Sequence, residues 1–367
     1  MRVLFVGEPD NGYNCTAHNA QALSTVGVQA LFDTGAGWRS AEWRQLCRQA
    51  DVVHVVTYAQ QNWMLLRKLW RARMMGLPVV RYWVGSDCLW ARFHEPSRRF
   101  AQALAHLEVV NLAVADHLVD ELARIHVEAR YTPIVTPHIC SGAQPQRLPS
   151  RVTALCYLPS HKREFYGARI IDALIRDLPG VQFIVLCDQA TDYSAFANVE
   201  SPGHVEDLAR TIGRCTVLVR PTMHDGMPRL MLEMLSRGRH AICSQPYPHC
   251  LQADNLAEYK QALRGLADGA EFNLEGREYV CRNFETRHTV KLLQSHLLER
   301  LQPGRAALSK TGKVQAARLL ARFPALLSRK HLPLPHSSDL PPEADALRWH
   351  LKAAEKAEPC RIGAGDA

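Results

Sequence analysis

The sequence predicts an α/β protein made of two doubly wound parallel-sheet domains. Three observations carry that expectation. Short apolar runs of strand length alternate with helix-period stretches through both halves of the chain. A stretch of little periodicity, Thr136 to Ser150, separates the halves and contains Pro137, Gly142, Pro145 and Pro149. The 367 residues suffice for two domains with a core each.

In the first half, strands are expected at Arg2–Gly7, Val28–Phe32, Val52–Thr57, Pro78–Val84, Val109–Ala113 and Tyr131–Ile134. Met1 to Val6 runs straight into a glycine loop, so it reads as a first strand and not as a signal peptide. The loop Gly7-Glu8-Pro9-Asp10-Asn11-Gly12-Tyr13 follows at the carboxyl end of that strand, which borders the ligand crevice of an open α/β sheet. It is no GxGxxG, so a dinucleotide fingerprint is absent. Asn62 to Met75 is expected as a helix, with Trp63, Leu65, Leu66, Leu69 and Trp70 set among Arg67, Lys68, Arg71 and Arg73. An apolar body with a basic rim suits a membrane interface. A core-facing helix with a solvated basic side explains it equally. Val79 to Asp87 ends a strand in Gly85-Ser86-Asp87. Asp87, at the carboxyl end, is a candidate for orienting or deprotonating an acceptor hydroxyl. Its other reading is to cap the helix that begins near Leu89.

In the second half, strands are expected at Val152–Leu158, Gln182–Cys187, around Val199, at Cys215–Arg220 and at His240–Ser244. The loop Leu158 to Gly167 leads into a helix over Ala168–Arg176. The stretch Cys215 to Ser244 is the most informative in the chain. Val217-Leu218-Val219 is a buried-strand run, Thr222-Met223-His224-Asp225-Gly226 a polar loop, and Pro228 stands where a first helical residue costs a proline least. Leu230, Met231, Leu232, Met234 and Leu235 give the helix an apolar side, and Gly238 ends it. Asp225 sits at the loop's mouth, and Glu233 lies about two helical turns further on. A strand, a loop and a helix N-terminus form a ready anion site, because free N–H groups and the positive end of the dipole face the ligand. Carboxylates accept hydrogen bonds from sugar hydroxyls but repel phosphate. Together the parts point to a sugar diphosphate, or else to a buried strand–helix unit in which Asp225 merely caps the helix.

This stretch resembles the nucleotide-sugar site of the retaining glycosyltransferases of GT-B family 4. Their motif is Glu, seven residues, Glu, then a phrase like the LSRGRHAICS seen here. Asp225 stands in for the first Glu and Glu233 matches the second. The resemblance implies a GT-B architecture, two Rossmann-like domains facing a cleft. It implies that the first acid touches the donor sugar and the second the ribose. Gly12 matches the glycine that lets the backbone approach the diphosphate. Lys162 and Arg163 match the basic pair that neutralises it, and Arg220 is placed to share that task. The implied donor contacts are therefore Gly12, Lys162, Arg163, Arg220, His224, Asp225, Gly226, Met227, Pro228 and Glu233, with Asp87 and Asp225 as the catalytic candidates. Ala50 to Val55 resembles the family's "DVVH" strand, in which His54 reads as a packing residue. Gly203-His204-Val205-Glu206-Asp207 resembles the segment whose backbone cradles the donor base. Where many relatives carry a histidine after the fourth strand, this chain has Val84 and Gly85.

The domains implied are 1–140 for the acceptor, a linker at 141–150, 151–283 for the donor, a crossover helix at 284–302 and a basic tail at 303–367. Tyr279 to Gln302 is expected to be a helix after Asn283-Phe284-Glu285, stopped by Pro303-Gly304. Net charge is +8, and the stretch from Arg305 to Lys330 holds Arg305, Lys310, Lys313, Arg318, Arg322, Arg329 and Lys330 with no acid among them. Lys313 to Lys330 reads as a basic amphipathic helix broken at Pro324, fit for an anionic membrane surface, or as a helix on the core or a loose tail. Eleven cysteines without a CxxC pair read as reduced core residues of a cytosolic protein, not as a disulfide frame or zinc site. No apolar run approaches a membrane span.

The reaction that the resemblance implies is glycosyl transfer from a nucleotide diphosphate sugar to a glycan or lipid-linked acceptor. It retains the anomeric configuration and needs neither metal nor cofactor. The sequence agrees in having no DxD pair and no His/Cys cluster of ligand spacing. A nucleotide-sugar epimerase of the same fold and a non-catalytic transferase-like scaffold are the alternatives. Nucleic-acid binding lacks an aromatic-basic groove motif.

Overall fold

The structure, a computed structural model, describes residues 1–6, 15–33, 35–56, 63–137, 139–140, 147–189, 191–301, 311–312 and 314. Gly12 and most of the basic tail lie outside the described residues. The chain divides into two compact units, one of Met1–Ile139 with the chain that follows Asn283, the other running Cys140–Arg282.

The first unit runs β1 (Arg2–Val6), α1 (Cys15–Ser24), β2 (Gln29–Asp33), α2 (Ala41–Gln49), β3 (Val52–Val56), α3 (Trp63–Met74), β4 (Val79–Trp83), α4 (Ser86–Phe93), α5 (Glu95–His106), β5 (Val110–Ala113), α6 (Asp116–Ala123) and β6 (Ala129–Tyr131). Its sheet is wholly parallel in the order β2-β1-β3-β4-β5-β6. Val52 to Val56 and Val79 to Trp83 are buried at every position, as strands covered on both faces must be. One expectation shifts here. The last strand lies at Ala129–Tyr131, ahead of the expected Tyr131–Ile134. Pro133 has no N–H for a ladder, and the carbonyls of Thr132 and Pro133 instead accept from the Tyr82 hydroxyl at 3.2 and 2.7 Å. His54 is fully buried on β3, its ring tilted against that of Phe5 at 5.3 Å, with Nε2 3.2 Å from the Asn19 amide nitrogen. Burial lowers its pKa to about 4, so it packs as a neutral ring.

The second unit runs β7 (Thr153–Tyr157), α7 (Ala168–Asp177), β8 (Gln182–Leu186), β9 (Val199–Gly203), α8 (Leu208–Gly213), β10 (Val217–Arg220), α9 (Arg229–Ser236), β11 (His240–Cys243), β12 (Leu251–Gln252), α10 (Leu256–Ala267) and α11 (Leu274–Asn283). Its sheet is also parallel, in the order β12-β11-β10-β7-β8-β9. The chain then returns to the first unit through α12 (Thr286–Glu299). The helix expected after Asn283-Phe284-Glu285 is α12, and the residues from Tyr279 to Asn283 belong to the end of α11. Buried Phe284 separates them, and the Glu285 carboxylate caps the second by accepting from the N–H groups of Arg287 and His288. α12 lies against α1, where Gln294 donates to the Val26 carbonyl at 3.1 Å, and Arg130 pairs with Glu299 at 2.9 Å.

Each strand order reverses once. In the first unit the chain turns back between β1 and β3, and in the second between β7 and β10. At such a switch point the loops leaving the carboxyl ends diverge and open a crevice. The loops after β1 and β3 lie outside the described residues. Those after β7 and β10 are described throughout.

Candidate functional site

The site in the second unit is built from two adjoining loops. After β7 the chain makes two tight helical turns, Ser160–Lys162 and Glu164–Tyr166, and enters α7 through Gly167 at φ 77°. After β10 it runs Pro221 to Pro228 into α9. The two loops touch at Gly167, where a Cβ would stand 2.2 Å from the Pro221 carbonyl oxygen. Only glycine satisfies both that approach and that backbone. The Met223 N–H bonds the Phe165 carbonyl at 2.9 Å and closes the seam.

The second loop is held from its other side as well. Ser244 donates to the Thr222 carbonyl at 2.5 Å, and Gln245 to the carbonyls of Thr222 and Met223 at 3.2 and 3.3 Å. The buried Tyr247 hydroxyl donates to the Gly226 carbonyl at 2.8 Å. From Pro221 to Pro228 every residue is buried except Asp225. His224, Gly226, Met227 and Pro228 thus form a fixed floor, and Asp225 stands above it.

Asp225 is not alone. Arg220, the last residue of β10, meets its Oδ2 through Nε at 2.6 Å and Nη2 at 2.5 Å. Oδ1 accepts the Gly226 N–H at 3.0 Å. The Arg220 guanidinium also lies 5.4 Å from the Tyr166 ring centre, and Tyr166 meets Tyr157 edge-on. The expected free cation for a diphosphate is therefore already in a side-on pair with the expected sugar ligand. Glu233 is different. It lies on α9 with its side chain 20% exposed, and Arg229 is 4.0 Å away. Burial raises its pKa, against the pull of Arg229 and Arg237.

Two helices begin here, and neither α7 nor α9 receives a hydrogen bond from a side-chain cap. Pro228 is the residue before α9, one place ahead of the expected first helical position. At α7 the N–H groups of Ala168 and Ile170 already bond the carbonyls of Arg163 and Gly167, so the orphan N–H groups are those that open α9, and two positive dipole ends lie at the carboxyl ends of neighbouring strands.

Two expected residues take other work. Arg163 pairs with Asp172 at 3.2 Å and with the buried Asp188, and both carboxylates also accept from the Tyr193 hydroxyl, at 3.0 and 3.1 Å. Its charge is spent inside the unit because the tight turns after β7 direct it against α7 and the end of β8. Lys162, beside it, is exposed. In the first unit Asp87 is fully buried and does not face a crevice. Its carboxylate accepts from the N–H groups of Val84 (3.1 Å), Gly85 (2.9 Å) and Cys88 (3.0 Å), which fixes the turn into α4. Burial raises its pKa, while the buried Arg81 nearby and these N–H groups pull it down. Asp87 lies inside the first turn of α4 (Ser86–Phe93), where it satisfies one helical N–H, that of Cys88, and the two that precede the helix, those of Val84 and Gly85.

Sequence reasoning missed Gly167, Tyr166 and Tyr247. Gly167 was legible only as the end of a loop, since nothing local reveals its contact with Pro221. Next to the site, a cavity of about 570 Å³ opens at the carboxyl ends of β8 and β9, between Asp188, Tyr193, Ser201 and Gly203.

By sequence, no protein-family model and no curated protein matches the chain. By fold, Anabaena HepE in complex with UDP aligns with a TM-score of 0.58 and 12% identity, over 82% of this chain and 100% of that one. Sucrose-phosphate synthase from Thermosynechococcus elongatus aligns at 0.59 and 12%, over 82% and 98%. The pneumococcal O-GlcNAc transferase GtfA, in complex with UDP and GlcNAc, aligns at 0.53 and 12%, over 71% and 60%. At these identities the fold is what is shared. The two six-stranded parallel sheets are two Rossmann-like domains of the GT-B fold.

Proposed function

We propose that the chain is a retaining, metal-independent glycosyltransferase that moves a sugar from a nucleotide diphosphate sugar to an acceptor hydroxyl, in the assembly of a glycan, polysaccharide or glycolipid. The observation that carries the reading is the pair of uncapped helix N-termini at the β7/β10 switch point, with one carboxylate at the mouth and one on the helix. The diphosphate sits on the N–H groups at the start of α9, with α7 beside it and Lys162 exposed close by. Glu233 accepts from the ribose hydroxyls. Asp225 accepts from the donor sugar, and Arg220 orients it. The base takes the cavity beside Gly203.

In this arrangement the departing diphosphate gains negative charge as the sugar–oxygen bond breaks. Fixed N–H dipoles stabilise that charge without reorganising. No side chain of the site stands as a nucleophile, and the leaving phosphate oxygen takes the acceptor's proton. The protein supplies position and field, and no metal or cofactor is needed.

One observation favours a second reading. The Arg220–Asp225 pair occupies both side chains, as a non-catalytic, transferase-like scaffold would tolerate. Donor hydrolysis separates the two. With UDP-, GDP- and ADP-sugars, release of nucleotide from one donor is expected, and Asp225→Ala and Glu233→Ala each lower it at least tenfold, as lost charge-assisted hydrogen bonds do. No release, and no donor binding by calorimetry, overturns the transferase reading in favour of the scaffold. Conversion of the donor sugar to its epimer without acceptor shifts the assignment to an isomerase.

A further inference from the structure

α3 carries four basic residues, and the fold sorts them. Lys68 turns inward to Asp33 at 2.5 Å, and Arg73 donates to the carbonyls of Leu107 and Leu77 at 2.8 and 2.9 Å. Leu65, Leu66, Leu69 and Ala72 fill the core beside them. What remains outside is one arc of about 140° of the helix surface. It contains Met64, Arg67, Trp70, Arg71, Met74 and Met75 and no acidic residue. Met64 and Met74 are each 45% exposed and Met75 is 38% exposed, so three of the seven large apolar side chains exposed among the described residues belong to this one surface.

The arc extends onto the turn before α2. The Trp38 ring lies between two guanidinium groups, Arg39 at 4.5 Å and Arg67 at 5.4 Å. Among the described residues, Arg39, Arg67 and Arg71 enter no ion pair. An ordinary solvated helix face mixes both signs of charge and has no use for three methionines. A stripe that is only apolar and cationic, with a half-buried tryptophan at its edge, has the make-up of a face seated at a lipid headgroup boundary.

We propose that this face of the first unit docks on the surface of an anionic bilayer, with Met64, Met74 and Met75 entering the headgroup layer and Arg39, Arg67 and Arg71 on lipid phosphates. Charge complementarity selects the occupant. A second copy would set like charges against each other. The exposed methionines are of no use to a purely ionic partner. The helix lies along the surface; no helix among the described residues is long and apolar enough to cross a membrane. The surface is separate from the donor site and stands whether or not the chain transfers sugar.

The test is vesicle flotation of the full-length chain. Wild-type protein floats with vesicles of phosphatidylglycerol and phosphatidylcholine in equal parts and stays behind with phosphatidylcholine alone. Arg67→Glu with Arg71→Glu lowers partition by about 25-fold, roughly fivefold for each arginine. Met64→Ser with Met74→Ser lowers it further. Met64 and Met74 are exposed, Arg67 and Arg71 are half-buried at the rim, and none of the four lies in the core, so the variants are expected to stay folded, which their melting curves check. Three results overturn the proposal: no flotation with anionic vesicles, full flotation of the arginine variant (which moves the contact to the basic tail), or flotation that ignores the methionines (which leaves a site for any polyanion, an acidic protein included). Donor hydrolysis without vesicles is read in parallel, and its failure leaves this result intact.

Discussion

At the scale of single residues, the same side chain serves different ends according to what surrounds it. Asp87 and Glu233 are both carboxylates beside a helix, and burial raises the pKa of both. Asp87 collects three backbone N–H groups and disappears into the turn. Glu233 has Arg229 at 4.0 Å and feels the charge of Arg237, and it keeps a fifth of its side chain exposed. The sequence spacing located both acids but not their partners, since partners come from tertiary contacts. The same holds for Arg163, whose carboxylates lie 9 and 25 positions along the chain. A prediction follows for Glu233. Its pKa in the folded chain lies above the ordinary carboxylate value, so the folded state binds its proton more readily than the unfolded state does. Stability from this group therefore increases as pH falls through the shifted value, and the ionised form at neutral pH carries a cost. Donor binding runs the other way, because only the ionised form accepts from two hydroxyls. Glu233→Gln is expected to raise the Tm at pH 7 and to lower donor affinity at least about tenfold. In the wild type, calorimetry should show donor affinity declining on acidification from above the ordinary range of about pH 4.3, and in the variant that decline should be absent. Equal pH profiles would exclude Glu233 from the contact.

Elements were more legible than partners. Buried parallel strands read as unbroken apolar runs, and eleven of the twelve strands among the described residues lie at or near their expected places. The exception, β12, has two exposed residues and no apolar signal. Where boundaries moved, a specific group moved them, as Pro133 did for β6 and the Glu285 cap for α12. The contact of the loops after β7 and β10 was not legible, because it joins residues 54 positions apart at a glycine. That seam holds the N-terminus of α7 against the loop that leads into α9. Gly167→Ala is therefore expected to act twice. A left-handed backbone costs a non-glycine residue about 1–3 kcal/mol, and relief of the 2.2 Å contact displaces Pro221. Denaturant titration should show a loss of at least about 2 kcal/mol. Donor release should decline further than stability alone explains at temperatures where the variant stays folded. Gly180→Ala, at a glycine with open space around its Cβ position and no positive φ, is the control and should change neither.

At the scale of the whole molecule, strand order locates the site and chain order decides which unit can stand alone. Both sheets reverse at a switch point, as two successive α/β alternations in the sequence led one to expect, and the second reversal coincides with the two carboxylates. What alternation could not convey is that the units are unequal in connectivity. Among the described residues the second unit is one continuous run, Cys140–Arg282, with a six-stranded sheet and its own buried cluster from Val152 to Leu266. The first is interrupted, and its helix α12 arrives only after the run Cys140–Arg282. α12 buries Thr289, Val290, Leu293 and Leu297, and hydrogen-bonds to Val26 through Gln294 and to Thr136 through Thr286. Removing it exposes those apolar side chains and leaves a groove along α1 where they packed. Each large apolar side chain withdrawn from a core costs about 2–5 kcal/mol, and three such losses are as large as the whole reserve, typically about 5–15 kcal/mol. The fragment 140–282 is thus expected to fold cooperatively and to bind the nucleotide that the full chain binds. A fragment of residues 1–139 alone is expected to be unfolded or aggregated. Restoring 283–301 as a separate peptide should recover helical signal in stoichiometric proportion, because the groove it fills is specific. Circular dichroism and calorimetry on the fragments decide the matter. A 1–139 fragment that melts cooperatively without α12 would show that the returning helix decorates the first unit and does not complete it.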